Sequence, residues 1–155
     1  MMHVAQLNIG RALYPLDDLR MAGFMNALAA INAIADRSPG FLWRMKDEGG
    51  AGATDIKYTD DPQEIANMSV WASAEALEHF VWMTAHKRIY NQKHSWFEPP
   101  AQAIFVMWPV ETGHIPTLDE GLERLQRLRE RGSTDYAYSW DHLAHLKAWL
   151  TKQCG

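Results

Sequence analysis

Residues 69–97, SVWASAEALEHFVWMTAHKRIYNQKHSWF, decide how the rest of the chain is read. They hold three of the seven Trp and three of the seven His. Trp is costly to place, because it needs a large apolar pocket and a partner for its N–H. The segment opens as the end of a strand and continues as one long helix. Ser73 is a good N-cap, Glu75 suits the positive end of a helix, and Pro99-Pro100 closes the region. On a helical projection His79, Met83, His86 and Tyr90 share one face, flanked by Trp82 and Phe97. Leu77, Phe80, Val81 and Thr84 share the opposite face. Only Glu78, Ala85 and Gln92 form a narrow outward strip, so the helix is expected to be touched from both sides.

Outward from this stretch the periodicities alternate between two and three-to-four. Residues 3–9 place Ala5, Leu7 and Ile9 on one side of a strand and Val4, Gln6 and Asn8 on the other. Met21, Phe24, Leu28, Ile31 and Ala35 make one buried helical stripe, stopped by Ser38-Pro39-Gly40. Phe41, Trp43 and Met45 alternate with Leu42, Arg44 and Lys46 as a second strand. The Gly-rich residues 49–52 read as a hairpin connection; they lack the Gly-Lys-Ser/Thr ending of a phosphate loop. Residues 65–71 form a third strand with Asn67, Ser69 and Trp71 on one face. Residues 103–110 are apolar on both faces, as in a central or doubly covered strand. Thr117-Leu118-Asp119-Glu120 matches a capping box, and the helix it opens buries Leu118, Leu122, Leu125 and Leu128 and ends at Gly132. Residues 136–140 suit a short edge strand and residues 141–150 a short helix.

The order β-α-β-β-α-β predicts an α+β fold: a ferredoxin-like antiparallel sheet with helices on one face and an extra C-terminal helix, in a single domain over residues 1–155. A sheet covered on one side leaves an apolar face, for which a second subunit is the usual cover, so a homodimer is expected. Hydrophobic residues make up 47% of the chain and charged residues 22%, as in ordinary globular proteins. A net charge of −4 argues against nucleic-acid and anionic-membrane partners. The lone Cys154 excludes an intrachain disulfide, and residues 1–10 lack the pattern of a signal peptide, so a cytoplasmic setting is expected.

The candidate chemistry is a pocket. His79 and His86 lie two helical turns apart near Trp71, able to pass protons or orient a polar ligand, or else to serve as hydrogen-bonded core histidines. Gln6 and Asn8, Arg44, and Asn67 and Ser69 are polar within apolar strands. Facing the helices they need partners, which a ligand can supply; facing solvent they carry no meaning. His114 belongs to the mouth of such a pocket or to a turn. No nucleophile elbow, dinucleotide fingerprint or metal-ligand cluster is present, and no cofactor is expected, although one axial His leaves haem open.

These residues resemble the domain of unknown function 3291 family of the dimeric α/β-barrel superfamily. The matching pieces are Phe41-Leu42-Trp43-Arg44, Asn67-Met68-Ser69-Val70-Trp71, Glu75-Ala76-Leu77 with Phe80, Ala85-His86, Ser95-Trp96-Phe97, 108–110 and Gly113-His114-Ile115-Pro116-Thr117. They run in order through most of the chain; residues 49–54 and the last ten or so depart from it. The resemblance implies a ferredoxin-like dimer, similar at a distance to antibiotic-biosynthesis monooxygenases and haem-degrading monooxygenases. In those enzymes a strand Asn and Trp precede a helix His, roles that Asn67, Trp71 and His79 or His86 are placed to take. The expectation is a cofactor-independent monooxygenase, or a related isomerase or cyclase, acting on an apolar or aromatic small molecule. Asn67 and Arg44 hold an oxyanion and His86 moves the proton; Trp71, His79, Trp82, Met83, Tyr90, Trp108, His114 and Asn8 line the pocket. The alternatives are a non-catalytic binding dimer and a haem protein.

Overall fold

The computed structural model describes residues 2–45, 61, 63–82 and 91–142. Strand β1 (Met2–Arg11) is followed by a short 3-10 turn (Leu19–Met21) capped by Asp18, whose carboxylate accepts from the Arg20 N–H at 2.8 Å. Helix α1 (Ala22–Arg37) buries the stripe Phe24, Ile31 and Ala35 that its three-and-four spacing predicts. Strands β2 (Phe41–Arg44) and β3 (Glu64–Trp71) come next, then α2 (Ala74–Trp82), the short α3 (Lys93–Trp96), β4 (Phe105–Glu111) and α4 (Leu118–Arg131). The four strands form one antiparallel sheet in the order β2-β3-β1-β4, the ferredoxin-like arrangement.

The sheet is covered on both faces by this one chain. Ile31 and Ala35 of α1 and Leu77 and Phe80 of α2 pack on the face that carries Trp71 and Met107. Leu125 and Leu128 of α4 pack on the other, against Ala5, Leu7, Met68, Val106 and Trp108. Gly121 permits that approach: a Cβ there would stand 3.2 Å from Leu7, Met68 and Trp108. The two ferredoxin-like helices do share one face, and the added helix covers the other. The open apolar face from which the homodimer was inferred is met inside the chain.

Three further differences have physical causes. Phe41 and Trp43 do not share a face, because the β2–β3 register shifts between them; Phe41 joins the Trp71 side and Trp43 the α4 side. The long helix does not run unbroken to Phe97: Gln92, at φ −101° and ψ 5°, interrupts it before α3. Strand β4 is an edge strand in the sheet order, yet it is buried on both faces, and its outer edge exchanges two hydrogen bonds with Tyr138 (Met107 N–H to Tyr138 O, 2.8 Å; Tyr138 N–H to Met107 O, 2.9 Å). Residues 136–140 therefore add a single bridge, not a full strand. The helix expected over 141–150 begins within 140–142, and its remainder lies outside the described residues.

Thr117 caps α4 as expected, accepting from the Glu120 N–H at 3.1 Å. The Glu120 carboxylate instead accepts from the indole N–H of the fully buried Trp108 at 2.8 Å and meets His114 Nε2 at 2.7 Å. Burial opposes its charge, but the His114 and Trp108 hydrogen bonds outweigh burial and hold the carboxyl below the ordinary value of 4.5. The stability this carboxylate contributes is therefore present above its unfolded value and is lost as pH falls through the folded one. Glu120→Ala strands a buried indole N–H and should cost about 1–3 kcal/mol in urea unfolding near neutral pH, with Glu120→Gln, which keeps an acceptor, losing less. Equal losses for the two variants would remove Trp108 from this account.

Candidate functional site

The site is a polar row laid across the face that α1 and α2 cover. The strand registers align Arg44, Ser69, Gln6 and Met107 in one cross-strand line, with Asn67, Asn8 and Phe105 in the next. Gln6 and Ser69 are the only buried polar residues among those described. The Gln6 amide donates from Nε2 to Asn67 Oδ1 at 2.9 Å and to Ser69 Oγ at 2.7 Å. The Trp71 indole N–H donates to the same Ser69 oxygen at 2.9 Å.

Counting donors and acceptors defines what the row can do. Ser69 Oγ accepts twice, so its two lone pairs are filled and its own proton points elsewhere. Asn67 spends its carbonyl on Gln6 and keeps its amide N–H pair. Among the described residues neither the Ser69 proton nor the Asn67 N–H pair meets an acceptor. The row thus presents donors from a buried and a half-buried position, an arrangement suited to an oxygen that gains negative charge.

The surroundings are apolar on either side. Towards one end lie Trp71, Phe80, Ile31 and Met107, with Phe80 stacked on Trp71 (centroids 5.0 Å, 28°) and Phe41 edge-on to it (5.4 Å, 80°). Towards the other lie Phe24, Ile65 and Trp96, with Phe97 edge-on to Phe24 at 4.9 Å. The polar row divides two aromatic clusters and runs from buried Trp71 to exposed Asn8.

The expected pocket residues separate into groups. Asn67 and Asn8 share the row. Trp71 is 1% exposed and enclosed by rings, so it positions Ser69 and offers no open face to a ligand. Arg44 stands beside Ser69 in register, but its guanidinium is held by Asp36 of α1 at 2.8 and 3.3 Å, so its charge is already countered. His79 is exposed on the outer side of α2, away from buried Leu77 and Phe80. Trp108 lies on the α4 face: it pairs with Ala5, whereas Trp71 pairs with the preceding Val4, and neighbouring strand residues point to opposite faces. His114 belongs to that α4 side through Glu120. Trp82 is half-exposed at the end of α2, on the site's own face. Met83, His86 and Tyr90 lie outside the described residues. In the sequence Gln6 and Ser69 stand out only as sheet polars, and nothing marks Phe105 and Trp140, whose near-parallel rings (5.2 Å, 14°) border Asn8. No group of three or more His, Cys, Asp or Glu suited to a metal ion occurs among the described residues, and no helix among them is long and apolar enough to cross a membrane.

A mixed α+β chain with this sheet order has a ferredoxin-like fold. Residues 3–154 match the family model of the domain of unknown function DUF3291, and the chain belongs to that family. Among solved structures it is similar to SnoaB, a cofactor-independent oxygenase from Streptomyces nogalater, at 15% identity over 77% of this chain and 100% of that one, with a TM-score of 0.50. It is also similar to a conserved protein from Methanosarcina mazei at 10% identity over 72% of this chain and 93% of that one, with a TM-score of 0.52. At these identities the likeness is one of fold. No curated protein sequence matches the chain.

Proposed function

We propose that this protein is a cofactor-independent, monooxygenase-like enzyme that acts on an apolar aromatic substrate bearing an acidic C–H beside a carbonyl or phenol. The observation that carries the reading is the Gln6–Ser69–Asn67 row, which aims donors between two aromatic clusters. The fold shared with a cofactor-independent oxygenase supports the choice of reaction class.

In this reading a base removes the C–H proton, and the electron pair moves onto the substrate oxygen. Asn67 N–H and the Ser69 hydroxyl stabilise that oxyanion. Gln6 and Trp71 hold Asn67 and Ser69 in place. The electron-rich anion reduces dioxygen itself, so no external reductant is required. For a methylene substrate, carbon–oxygen bond formation gives a peroxide that takes up a proton. Loss of water then leaves a new carbonyl, with one oxygen atom in the product and the other in water. His86, outside the described residues, is assigned the base role on sequence grounds. Arg44, already paired with Asp36, is assigned electrostatic support and no direct bond to the oxyanion. A homodimer in a cytoplasmic setting is part of the proposal and rests on the family resemblance, not on an open sheet face; sedimentation equilibrium should return twice the 17.7 kDa chain mass, and a single-chain mass would remove the dimer.

The test uses dithranol, a dihydroxyanthrone with such a methylene. Purified, colourless protein should accelerate oxygen uptake and quinone formation above the spontaneous rate. A haem band in the visible spectrum, or no acceleration, would count against the reading.

A further inference from the structure

Gln6 stands at the centre of the polar row, on the strand between β3 and β4, and is only 5% exposed. A side-chain amide fits the same space turned end for end, so its direction has to be accounted for. In the structure Nε2 spends both protons, one on Asn67 Oδ1 at 2.9 Å and one on Ser69 Oγ at 2.7 Å. Turned over, Oε1 would take its place and accept from the Asn67 N–H and the Ser69 hydroxyl. Trp71 permits both arrangements, because its indole N–H needs only one Ser69 lone pair. Either way the row holds three hydrogen bonds.

The groups left over select the direction. As observed, the part of Gln6 that meets no partner among the described residues is Oε1, a single acceptor. Turned over, two amide protons would be stranded at the most enclosed point of the row. Stranding two buried donors costs more than stranding one acceptor. The direction then sets what the row shows a ligand. With Gln6 donating, Asn67 turns its N–H pair outward and Ser69 keeps its proton for the ligand. With Gln6 accepting, Asn67 would turn its carbonyl outward and the Ser69 proton would be spent inside. The first arrangement favours a phenolate or enolate oxygen, the second a neutral hydroxyl. Arg44 flanks Ser69 in register, but Asp36 counters its charge at 2.8 Å, so the selection falls to these neutral dipoles.

We infer that Gln6 is the positioning residue that sets the polarity of the row, and through it the charge state of the ligand oxygen that the site selects. This rests on the functional reading above for the kind of ligand, an aromatic with an ionisable oxygen. Its test reads the ionisation of a bound ligand and needs no turnover.

The probe is dihydroxyanthraquinone, the quinone formed from dithranol, whose colour deepens when a phenol ionises. It is titrated with pH free in solution and bound to the full chain. The unsubstituted protein should lower its midpoint by about one pH unit. Gln6→Met keeps the length and apolar packing, adds no charge and directs neither neighbour. It should return the bound midpoint to that of the free probe and lower kcat for dithranol about tenfold to a hundredfold. Gln6→Glu, once ionised, can only accept. It should raise the midpoint above that of the free probe, and it covers the case in which Gln6→Met fails to fold. A Gln6 that is merely structural would lower the thermal midpoint in these variants and leave the bound probe's ionisation unchanged, which would overturn the assignment. So would an undisplaced midpoint, or no binding, in the unsubstituted protein. A midpoint that depends on Gln6 without dithranol turnover would leave the assignment standing and remove the oxygenase. Turnover with a midpoint indifferent to Gln6 would do the reverse.

Discussion

Asn67→Ala should lower the turnover number for dithranol by about 10²–10³-fold, the usual loss when one donor to a developing oxyanion is removed from a preorganised site. The loss should fall on kcat more than on KM, because the Asn67 N–H pair acts on charge that appears only as the proton leaves. The same change frees one Gln6 N–H from its acceptor at 2.9 Å, so a stability loss of about 1 kcal/mol should accompany it. Ser69→Ala is a poorer instrument. It removes the acceptor of both Gln6 and Trp71 at once, and two stranded N–H groups would confound activity with folding. His86→Ala in the same assay should abolish turnover with the midpoint nearly unchanged, and a large stability loss would make His86 structural. An unchanged kcat in Asn67→Ala would take the polar row out of catalysis.

Gly40→Ala should destabilise the fold by about 2–5 kcal/mol in urea unfolding. Gly40 joins α1 to β2 at φ +83°, a left-handed conformation that costs a residue with a Cβ about 1–2 kcal/mol. A Cβ there would also stand 2.5 Å from the Ala76 Cβ of α2, and overpacking adds about 1–3 kcal/mol. The Gly40 carbonyl accepts from Ala72 N–H at 2.7 Å, so the strain cannot be relieved without moving the β3–α2 corner that carries Trp71. Gly132 supplies the contrast. It has φ +73° but nothing within 4 Å of the place a Cβ would take, so Gly132→Ala should show the conformational cost alone. Equal losses at the two glycines would mean that the α1–β2 turn does not press on α2.

The fold was legible where a single period dominated. The α1 stripe, the β1 alternation and the Thr117 cap each follow from local spacing, and each recurs in the structure. What depends on register between strands was not legible. Alternation says that Trp71 and Trp108 each face one way, but only the pairings Val4–Trp71 and Ala5–Trp108 say that the two ways are opposite. The shift between Phe41 and Trp43 is likewise a backbone irregularity with no signature in the side-chain pattern. His79 stands apart from the row for a related reason. Both faces of α2 look apolar in projection, and the sheet selects the Leu77–Phe80 side.

The candidate site was half legible. Polar residues inside apolar strands marked Gln6, Asn67 and Ser69 as needing partners, and they partner one another. That Gln6 is the hub, spending both amide protons, follows from its place between β3 and β4 and not from its neighbours in sequence. Trp140 gave no local sign at all. It reaches the site because Tyr138 docks on the edge of β4, a contact between residues 31 positions apart (107 and 138).

The most direct test of the central claim is isotopic. Dithranol turned over by the chelator-treated protein under labelled dioxygen should give quinone carrying one labelled oxygen atom, with the second atom recovered in water, and Asn67→Ala should lose this enzymic fraction. Quinone formed no faster than without protein, or formed at wild-type rate by Asn67→Ala, would contradict it.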